Sequence, residues 1–165
     1  PAWQLMRDQG YGRIINTSSG AGIFGNFRQT NYGAAQMGLV GLTRVLAAEG
    51  RKNNIRANAI APVAKTRMTE ELLGADADLL APETVTPVVC YLASEECEVS
   101  GEVYSCAGGI VSRFFIGLTP GVYEPNLTVE SVRDNLDQIR DPEGYTIPRG
   151  PGDEFANIFS TIKGE

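Results

Sequence analysis

The stretch that decides the fold is residues 12–22, which read GRIINTSSGAG. Two adjacent isoleucines lie in a short run that small residues and glycines then break, and this predicts a strand over residues 13–18. After a loop to Thr30, apolar side chains in residues 31–51 recur at helical spacing on nearly every side. We predict a helix there that is buried on more than one side.

A second strand follows this helix. Residues 55–60, IRANAI, form a short run that Pro62 ends. Strand, helix and strand at this spacing predict a parallel unit with a right-handed crossover, and therefore an α/β fold. The other predicted elements are a helix over residues 1–8 that stops at Gly10, a short helix at residues 69–73, a helix that Pro82 begins, a strand at residues 101–106, an edge strand at residues 111–116, a helix at residues 128–139 and a short helix near residues 155–162.

The composition excludes several kinds of catalytic site. The 165 residues contain no histidine, 14 Lys+Arg and 20 Asp+Glu, for a net charge of -6. Without an imidazole they can form no Ser-His-Asp or Cys-His nucleophile system and no two-histidine metal site. A general acid or base must therefore be Tyr, Lys, Asp, Glu or Cys. The negative charge argues against nucleic acid and an anionic membrane as partners.

The cysteines and the hydropathy of the sequence indicate the cellular compartment in which the protein is expected. The three cysteines, Cys90, Cys97 and Cys106, are an odd number without metal-type spacing, so we expect reduced thiols and no metal site. No run approaches the roughly 18 apolar residues of a membrane span, and the first residues do not resemble a signal peptide. We therefore expect a cytoplasmic protein with no membrane partner.

The candidate chemistry lies where the first predicted strand ends. Ser18 and Ser19 end this strand, and Tyr32 falls in the first turn of the long predicted helix. Ligands of open α/β sheets bind beyond the carboxyl ends of the strands. A phenol there can exchange a proton with a carbonyl or alcohol oxygen while a serine hydroxyl hydrogen-bonds the same atom. A cation that favours the phenolate belongs one helical turn on, where the chain has Gln36.

Several segments in order resemble one enzyme family. Ser19 precedes Tyr32 by thirteen residues, and the motifs GRI at residues 12–14, NYGAA at 31–35 and NAIAP at 58–62 accompany the pair. This order resembles the C-terminal half of a short-chain dehydrogenase/reductase. A serine and a tyrosine at this spacing would be a weak signal alone, but several motifs in order are a strong one.

A narrower resemblance concerns three further segments. GIFGNF at residues 22–27, AEGRKNNI at 48–55 and the segment 60–69 resemble the (3R)-hydroxyacyl-CoA dehydrogenase unit of peroxisomal multifunctional enzyme type 2 and its bacterial relatives. The resemblance implies that residues 1–115 are the C-terminal half of a Rossmann-like doubly wound parallel sheet, without its N-terminal cofactor-binding half. It implies that residues 116–165 are a C-terminal helical and loop extension.

The same resemblance implies an NAD(P)-dependent oxidoreductase that interconverts a secondary alcohol and a ketone. The implied substrates are 3-hydroxyacyl-CoA and 3-oxoacyl-CoA in fatty acid metabolism, and NAD is the favoured cofactor. Tyr32 would donate or accept the proton, Ser19 would polarise the substrate oxygen, and Gln36 stands at the position of the family's catalytic lysine. Phe24 and Asn26 are implied to be substrate-side residues or parts of a structural loop. The residues implied to bind the cofactor are Tyr32, Gln36, Pro62, Val63, Ala64 and Thr66.

Gln36 is the main departure from the family pattern. A neutral amide can hydrogen-bond a ribose hydroxyl, but it carries no charge to favour a phenolate. An ordinary phenol with a pKa near 10 is ionised to about one part in a thousand at pH 7. Lys52 or Lys65 would have to supply a cation from elsewhere, and no GxGxxG-like stretch is present to bind a pyrophosphate. We therefore predict that this chain is inactive by itself.

Two other hypotheses accompany this one. In the first, the chain is a non-catalytic partner subunit that forms a homo- or hetero-oligomer through the helix from Asn31 to Arg51. Its small residues Ala34, Gly38 and Gly41 lie along one stripe and allow a close approach. In the second, the sequence is an incomplete record of an ordinary enzyme in which the glutamine is a substitution. In a eukaryote the expected compartment is the peroxisome.

Overall fold

The computed structural model describes residues 1–164, apart from the side chain of Leu72. The chain divides into two compact units, Pro1–Phe114 and Phe115–Glu165. The strands are β1 (Gly12–Thr17), β2 (Ile55–Pro62), β3 (Val103–Ala107) and β4 (Ile110–Phe114). The helices are α1 (Ala2–Gln9), α2 (Gly20–Phe24), α3 (Thr30–Gly50), α4 (Glu70–Leu73), α5 (Thr86–Ala93), α6 (Val129–Asp134), α7 (Leu136–Arg140) and α8 (Pro151–Lys163), with 3-10 segments at Arg51–Asn53, Gly74–Leu79 and Pro82–Val85.

The first unit is built on a four-stranded sheet in the order β1-β2-β3-β4. The strands β1, β2 and β3 are parallel, and β4 runs antiparallel to β3. Gly108 and Gly109 form the tight turn between the last two strands, and both have the positive φ angles that such a turn requires. The predicted α/β class is confirmed, and the glycine turn makes the sheet mixed rather than wholly parallel.

Helices pack on both faces of this sheet. Neighbouring residues of β2 point to opposite faces, as the alternation of a strand requires. Ala59 packs with Val103 and with Val40 of α3, whereas Ile60 packs with Cys106 and with Leu92 of α5. The two apolar clusters bury the sheet from either side. This arrangement is Rossmann-like, as predicted.

The segment between β1 and α3, predicted to be a loop, contains the helix α2. Its sequence, GAGIF, includes two glycines, and glycine lowers helix propensity by about 1 kcal/mol relative to alanine. The helix forms because the Ser19 side chain caps it and because α2 packs on α3. Both causes are contacts that the local apolar pattern does not reveal.

The prediction that α3 is buried on more than one side is wrong for the described structure. Its buried residues are Val40, Thr43 and Gly50, and these face the sheet side of the helix. Met37 and Val45 are more than a third exposed although both are apolar. The apolar pattern of a helix records which side chains prefer burial, but neighbouring elements decide which of them are covered.

The second unit consists of helices and extended segments held by local contacts. Leu118 pairs with Thr146 in an isolated antiparallel bridge, and the rings of Phe115 and Tyr145 stack at 5.6 Å. The helix predicted over residues 128–139 is two helices, because the chain leaves helical geometry at Asn135. The predicted tail helix is confirmed as the longer α8. The assignment of the two units to parts of a larger domain stays a prediction.

Candidate active site

The residues predicted to bind a ligand lie at the carboxyl ends of neighbouring strands. Because β1 and β2 are parallel, their carboxyl ends meet at one edge of the sheet. Ser18 extends this pairing, since its N–H donates to the Ile60 carbonyl at 2.7 Å. Val63 extends β2 toward β3 in the same way. The structure therefore brings Ser19 and the segment 62–66 to the same edge.

Ser19 is the N-cap residue of α2. Its backbone is extended, and its Oγ accepts a hydrogen bond from the Ala21 N–H at 3.2 Å. A hydroxyl that accepts this bond keeps its own hydrogen to donate. No acceptor for that hydrogen lies among the described residues. The cap thus orients the hydroxyl and leaves its hydrogen for a ligand oxygen.

Tyr32 is the third residue of α3, and its side chain is 43% exposed. The helix α2, which Ser19 caps, packs directly on α3. The first turn of α3 is secured where the Gly33 N–H donates to the Gln29 carbonyl at 2.7 Å. The phenol of Tyr32 and the hydroxyl of Ser19 are therefore carried at the starts of two contacting helices.

Gln36 lies one turn beyond Tyr32, and its side chain is partly buried. Its Oε1 is fully buried, and no described residue donates a hydrogen bond to it. A buried acceptor without a donor is costly, by about 1–3 kcal/mol, so such atoms usually have a partner. A hydroxyl of a bound molecule is a suitable donor. A lysine at this position would itself be a donor only.

The segment that follows β2 is organised by its own hydrogen bonds. Thr69 Oγ1 donates to the Ala64 carbonyl at 2.6 Å and accepts from the Thr66 N–H at 2.9 Å. The Thr66 hydroxyl lies 3.1 Å from Thr69 Oγ1 and accepts from the Met68 N–H. The peptide group between Val63 and Ala64 makes no hydrogen bond to any described residue. It offers one donor and one acceptor to a ligand.

Neither lysine considered as a substitute cation makes a hydrogen bond or an ion pair with Tyr32 among the described residues. Lys65 Nζ pairs with Asp78 at 2.7 Å and with Glu70 at 3.2 Å. The hydrogen bond to Asp78 raises the pKa of Lys65 and lowers the pKa of Asp78. Lys52 follows the far end of α3, about 30 Å from Tyr32 along a helix that rises about 1.5 Å per residue. The position beside the phenol belongs to the neutral amide.

The two predicted substrate-side residues lie in and just after α2. Phe24 is 78% exposed, and its ring meets that of Phe114 edge-on at 5.3 Å. Asn26 Nδ2 donates to Gln29 Oε1 at 3.0 Å, which ties the turn that leads into α3. The contact of Asn26 fits the structural hypothesis, while the exposed ring of Phe24 packs at the end of β4, where Phe114 pairs with the first residue of β3.

Two features are absent from the part of the chain that the structure describes, residues 1–164. No set of three or more His, Cys, Asp or Glu side chains in it is grouped so as to hold a metal ion. No helix in it is both long enough and apolar enough to cross a membrane.

Comparison with known proteins agrees with this geometry. The family model described as short chain dehydrogenase matches residues 2–76. The chain is 47% identical over 166 residues to mouse peroxisomal multifunctional enzyme type 2, covering 98% of this chain and 23% of that protein. It is 38% identical over 122 residues to an acetoacetyl-CoA reductase of an Acinetobacter species, covering 67% of this chain and 49% of that protein.

A solved structure extends the likeness to nearly every residue. Full-length peroxisomal multifunctional enzyme type 2 from Drosophila melanogaster superposes with a TM-score of 0.87 at 33% identity, over 99% of this chain and 31% of that chain. The chain spans about half the length, or less, of the curated relatives it matches. Its sheet and its similarity to these proteins lead to one conclusion: the chain belongs to the short-chain dehydrogenase family.

Proposed function

We propose that this chain acts in the nicotinamide-dependent interconversion of a secondary alcohol and a ketone, with 3-hydroxyacyl-CoA and 3-oxoacyl-CoA as the substrate pair. The observation that carries the proposal is the Ser19 hydroxyl, oriented by the Ala21 N–H with its hydrogen free, on a helix that packs against the start of α3. The Acinetobacter relative, named as a reductase of an acyl-CoA ketone, supports the substrate class.

Two side chains have roles at the substrate oxygen. In the direction of reduction, the Tyr32 phenol donates a proton to the ketone oxygen, and in the direction of oxidation it takes the proton from the alcohol. Ser19 donates a hydrogen bond to the same oxygen, which stabilises the negative charge that develops there. A nicotinamide, when bound, supplies or accepts the hydride.

The groups left without partners fit such a cofactor. The buried Oε1 of Gln36 needs a donor, and a ribose hydroxyl is one. The free peptide group between Val63 and Ala64 can hydrogen-bond a carboxamide, and Pro62 borders the same position. The Thr66 hydroxyl can turn from its local partner Thr69 toward the cofactor. NAD is the favoured nucleotide.

Gln36 limits the activity that this site can show. The amide can bind and orient a hydroxyl, but it cannot hold a phenolate by charge. We expect turnover to be low in the direction of oxidation, where Tyr32 must act as a base without a neighbouring cation. The 165 residues contain no stretch that binds a pyrophosphate, so by themselves they are expected to show no turnover.

The test compares glutamine with lysine at position 36. Two proteins carry the substitution. One is the full-length product of the gene. The other is a chimera, in which the part of the mouse relative that lies N-terminal to its aligned region is fused ahead of Pro1. Nicotinamide absorbance is followed with a 3-hydroxyacyl-CoA, because in the direction of oxidation Tyr32 must take a proton. We expect Gln36→Lys to raise turnover in this direction, since an ammonium group near the phenol favours the phenolate.

The control for this test is a lysine at the far end of the same helix. Ala48→Lys adds the same charge at an exposed position about 24 Å from Tyr32 along α3 and should leave turnover unchanged. Binding of the nicotinamide is measured separately by titration. Cofactor binding without turnover in every variant, including Gln36→Lys at alkaline pH, would refute the catalytic proposal.

The second candidate function is that of a non-catalytic partner subunit. It is favoured by the exposed apolar side of α3, where Leu42 and Val45 are uncovered and open space surrounds Gly38 and Gly41. A second copy or a related chain would cover this side. Light scattering and nicotinamide titration separate the candidates, since an assembly subunit associates without binding the cofactor.

The proposed substrate also suggests the cellular compartment. A dehydrogenase of acyl-CoA intermediates belongs to the cytoplasm or, in a eukaryote, to the peroxisome, the organelle in the name of the mouse relative. Fluorescent tagging of the encoded protein in its own cell distinguishes the two. Recovery at the plasma membrane would contradict both.

A further inference from the structure

One turn of α3 is held on two sides by residues that flank Ser19 in the chain. The turn is the one that carries Gln36. Ser18 contacts it from the end of β1, and Gly22 contacts it from α2. Neither residue offers a side-chain group to a ligand, so we look for their contribution in the relative position of β1, α2 and α3.

Ser18 joins three elements at one point. It is 3% exposed, and its N–H donates to the Ile60 carbonyl of β2 at 2.7 Å. Its Oγ donates to the Gln36 carbonyl of α3 at 2.8 Å. The buried hydroxyl therefore ties the Gln36 turn of α3 to the end of the sheet, and the turn cannot move along the sheet without breaking this bond.

Gly22 sets how closely the two helices approach. A Cβ atom added to Gly22 would lie 2.7 Å from Gln36 Cβ and 2.8 Å from the Met37 main-chain N. One of these atoms is backbone, so no rotation of a side chain relieves the contact. An added methyl group must therefore push α2 away from α3.

We propose that Ser18 and Gly22 are positioning residues that set the separation between the Ser19 hydroxyl and the Tyr32 phenol. Ser19 lies in the chain between the two contacts, and Tyr32 lies one turn before the contacted residue Gln36. Movement of either contact changes the distance between the two reacting groups. The inference rests on the proposed function for its meaning in catalysis, while the positioning itself is a structural property.

The experiment substitutes each contact in the protein as its gene encodes it. Gly22→Ala and Ser18→Ala are the test variants. Gly20→Ala is the matched control, since it adds the same methyl group in the same helix, where it would lie only in ordinary contact with Phe24 at 4.0 Å. Thermal unfolding of every variant shows which of them are folded.

The first measurement needs no catalytic activity. The protein is labelled with fluorotyrosine, and the fluorine resonance of residue 32 is assigned with Tyr32→Phe. Ser19→Ala should shift this resonance in the parent protein, because Ser19 caps α2 and α2 packs on the helix that carries Tyr32. We expect Gly22→Ala and Ser18→Ala to move the resonance and to reduce the shift that Ser19→Ala causes, while Gly20→Ala changes neither.

The second measurement follows nicotinamide turnover with a 3-oxoacyl-CoA. We expect kcat to fall about tenfold or more in both test variants while KM changes by less than about threefold, because misplacement of reacting groups slows the chemical step more than binding. If Gly22→Ala does not fold, Ser18→Ala, which removes a single oxygen atom, decides the question.

The outcomes separate the two proposals. A moved resonance in a protein without turnover supports positioning and counts against the proposed function. Turnover together with an unmoved resonance and an unchanged kcat in folded Gly22→Ala and Ser18→Ala proteins overturns the positioning proposal. An equal response from Gly20→Ala would also overturn it, since the effect would then not depend on the contact with α3.

Discussion

The two units of this chain differ in what they bury. In the first unit, apolar side chains from α3 and α5 cover both faces of the sheet, and residues such as Ile55 and Leu92 are almost fully buried. In the second unit, no described side chain of residues 115–164 is buried. A core therefore defines the first unit, whereas hydrogen bonds and surface contacts define the second.

The difference is most visible in α8. Its apolar residues recur at the spacing of one helix face, and each is between 43% and 59% exposed: Phe155, Ile158, Phe159 and Ile162. In the first unit, Val40 of α3 and Leu92 of α5 are instead buried against the sheet. An apolar helical stripe therefore contributes differently to stability in the two units, and four measurements test this difference.

The largest expected effect is the loss of a core side chain. Leu92→Ala removes a side chain that is 2% exposed, and we expect the free energy of unfolding to fall by about 2–5 kcal/mol because a cavity remains. Phe159→Ala, in the second unit, should cost less than about 1 kcal/mol. Urea unfolding measures both. Equal losses would mean that the α8 stripe is covered in the folded protein.

A smaller effect is expected for a matched pair of threonines. Thr43 Oγ1 and Thr161 Oγ1 each donate to the carbonyl four residues earlier, but only Thr43 also accepts, from Asn16 Nδ2 at 2.8 Å. Thr43→Val should lower the free energy of unfolding by about 1–3 kcal/mol, because the Asn16 amide loses its acceptor inside the fold. Thr161→Val should be close to neutral. Similar costs would contradict the comparison.

A local effect is expected at the N-terminus of α6. Thr128 Oγ1 accepts from the Ser131 N–H at 3.1 Å, and loss of such a cap costs about 1 kcal/mol. Thr128→Ala should speed hydrogen exchange of the first amides of α6 and leave β2 unchanged, because the second unit lacks a core that would spread the effect. Thr128→Ser is the control. Faster exchange in β2 would show that the units unfold together.

The smallest effect concerns the ion pair of Lys65 with Asp78. The pKa of Asp78 is lowered by its hydrogen bond to Lys65, so the pair stabilises the fold above the usual carboxyl pKa near 4 and is lost as pH falls through the lowered value. Both groups are exposed, so salt weakens the pair.

Lys65→Met tests this assignment by NMR titration of the carboxyl groups. The variant should return the pKa of Asp78 toward its usual value. Asp153 is the control in the second unit, because hydrogen bonds from Arg149 lower its pKa independently. An Asp78 pKa that stays low in Lys65→Met would show that another group holds it.

Local sequence was enough to predict the elements that depend on local causes. The isoleucine run before Ser18 predicted β1, the stop at Gly10 is confirmed by its left-handed conformation, and Pro62 ends β2. Ser19, Tyr32 and Gln36 were candidates from their places at a strand end and in the first turns of a helix, and their roles came from the family resemblance. Those roles remain proposals.

Contacts between distant residues could not be predicted in this way. The helix α2 depends on a cap and on α3, and the exposed side of α3 depends on which elements lie beside it. The bond from Ser18 to the Gln36 carbonyl joins residues that share no local pattern. Propensity and periodicity describe a residue's preference, and only packing supplies its neighbours.

By itself, the sequence determined that the chain is an α/β protein without histidine chemistry, and that a glutamine stands where the family has a lysine. Only the tertiary structure decided that the buried Oε1 of this glutamine lacks a donor, that Lys65 is already paired and that Gly22 has no room for a methyl group. The physical reason is that a hydrogen bond or a steric contact needs two groups close in space. Groups that are distant in the sequence come close only in the tertiary structure.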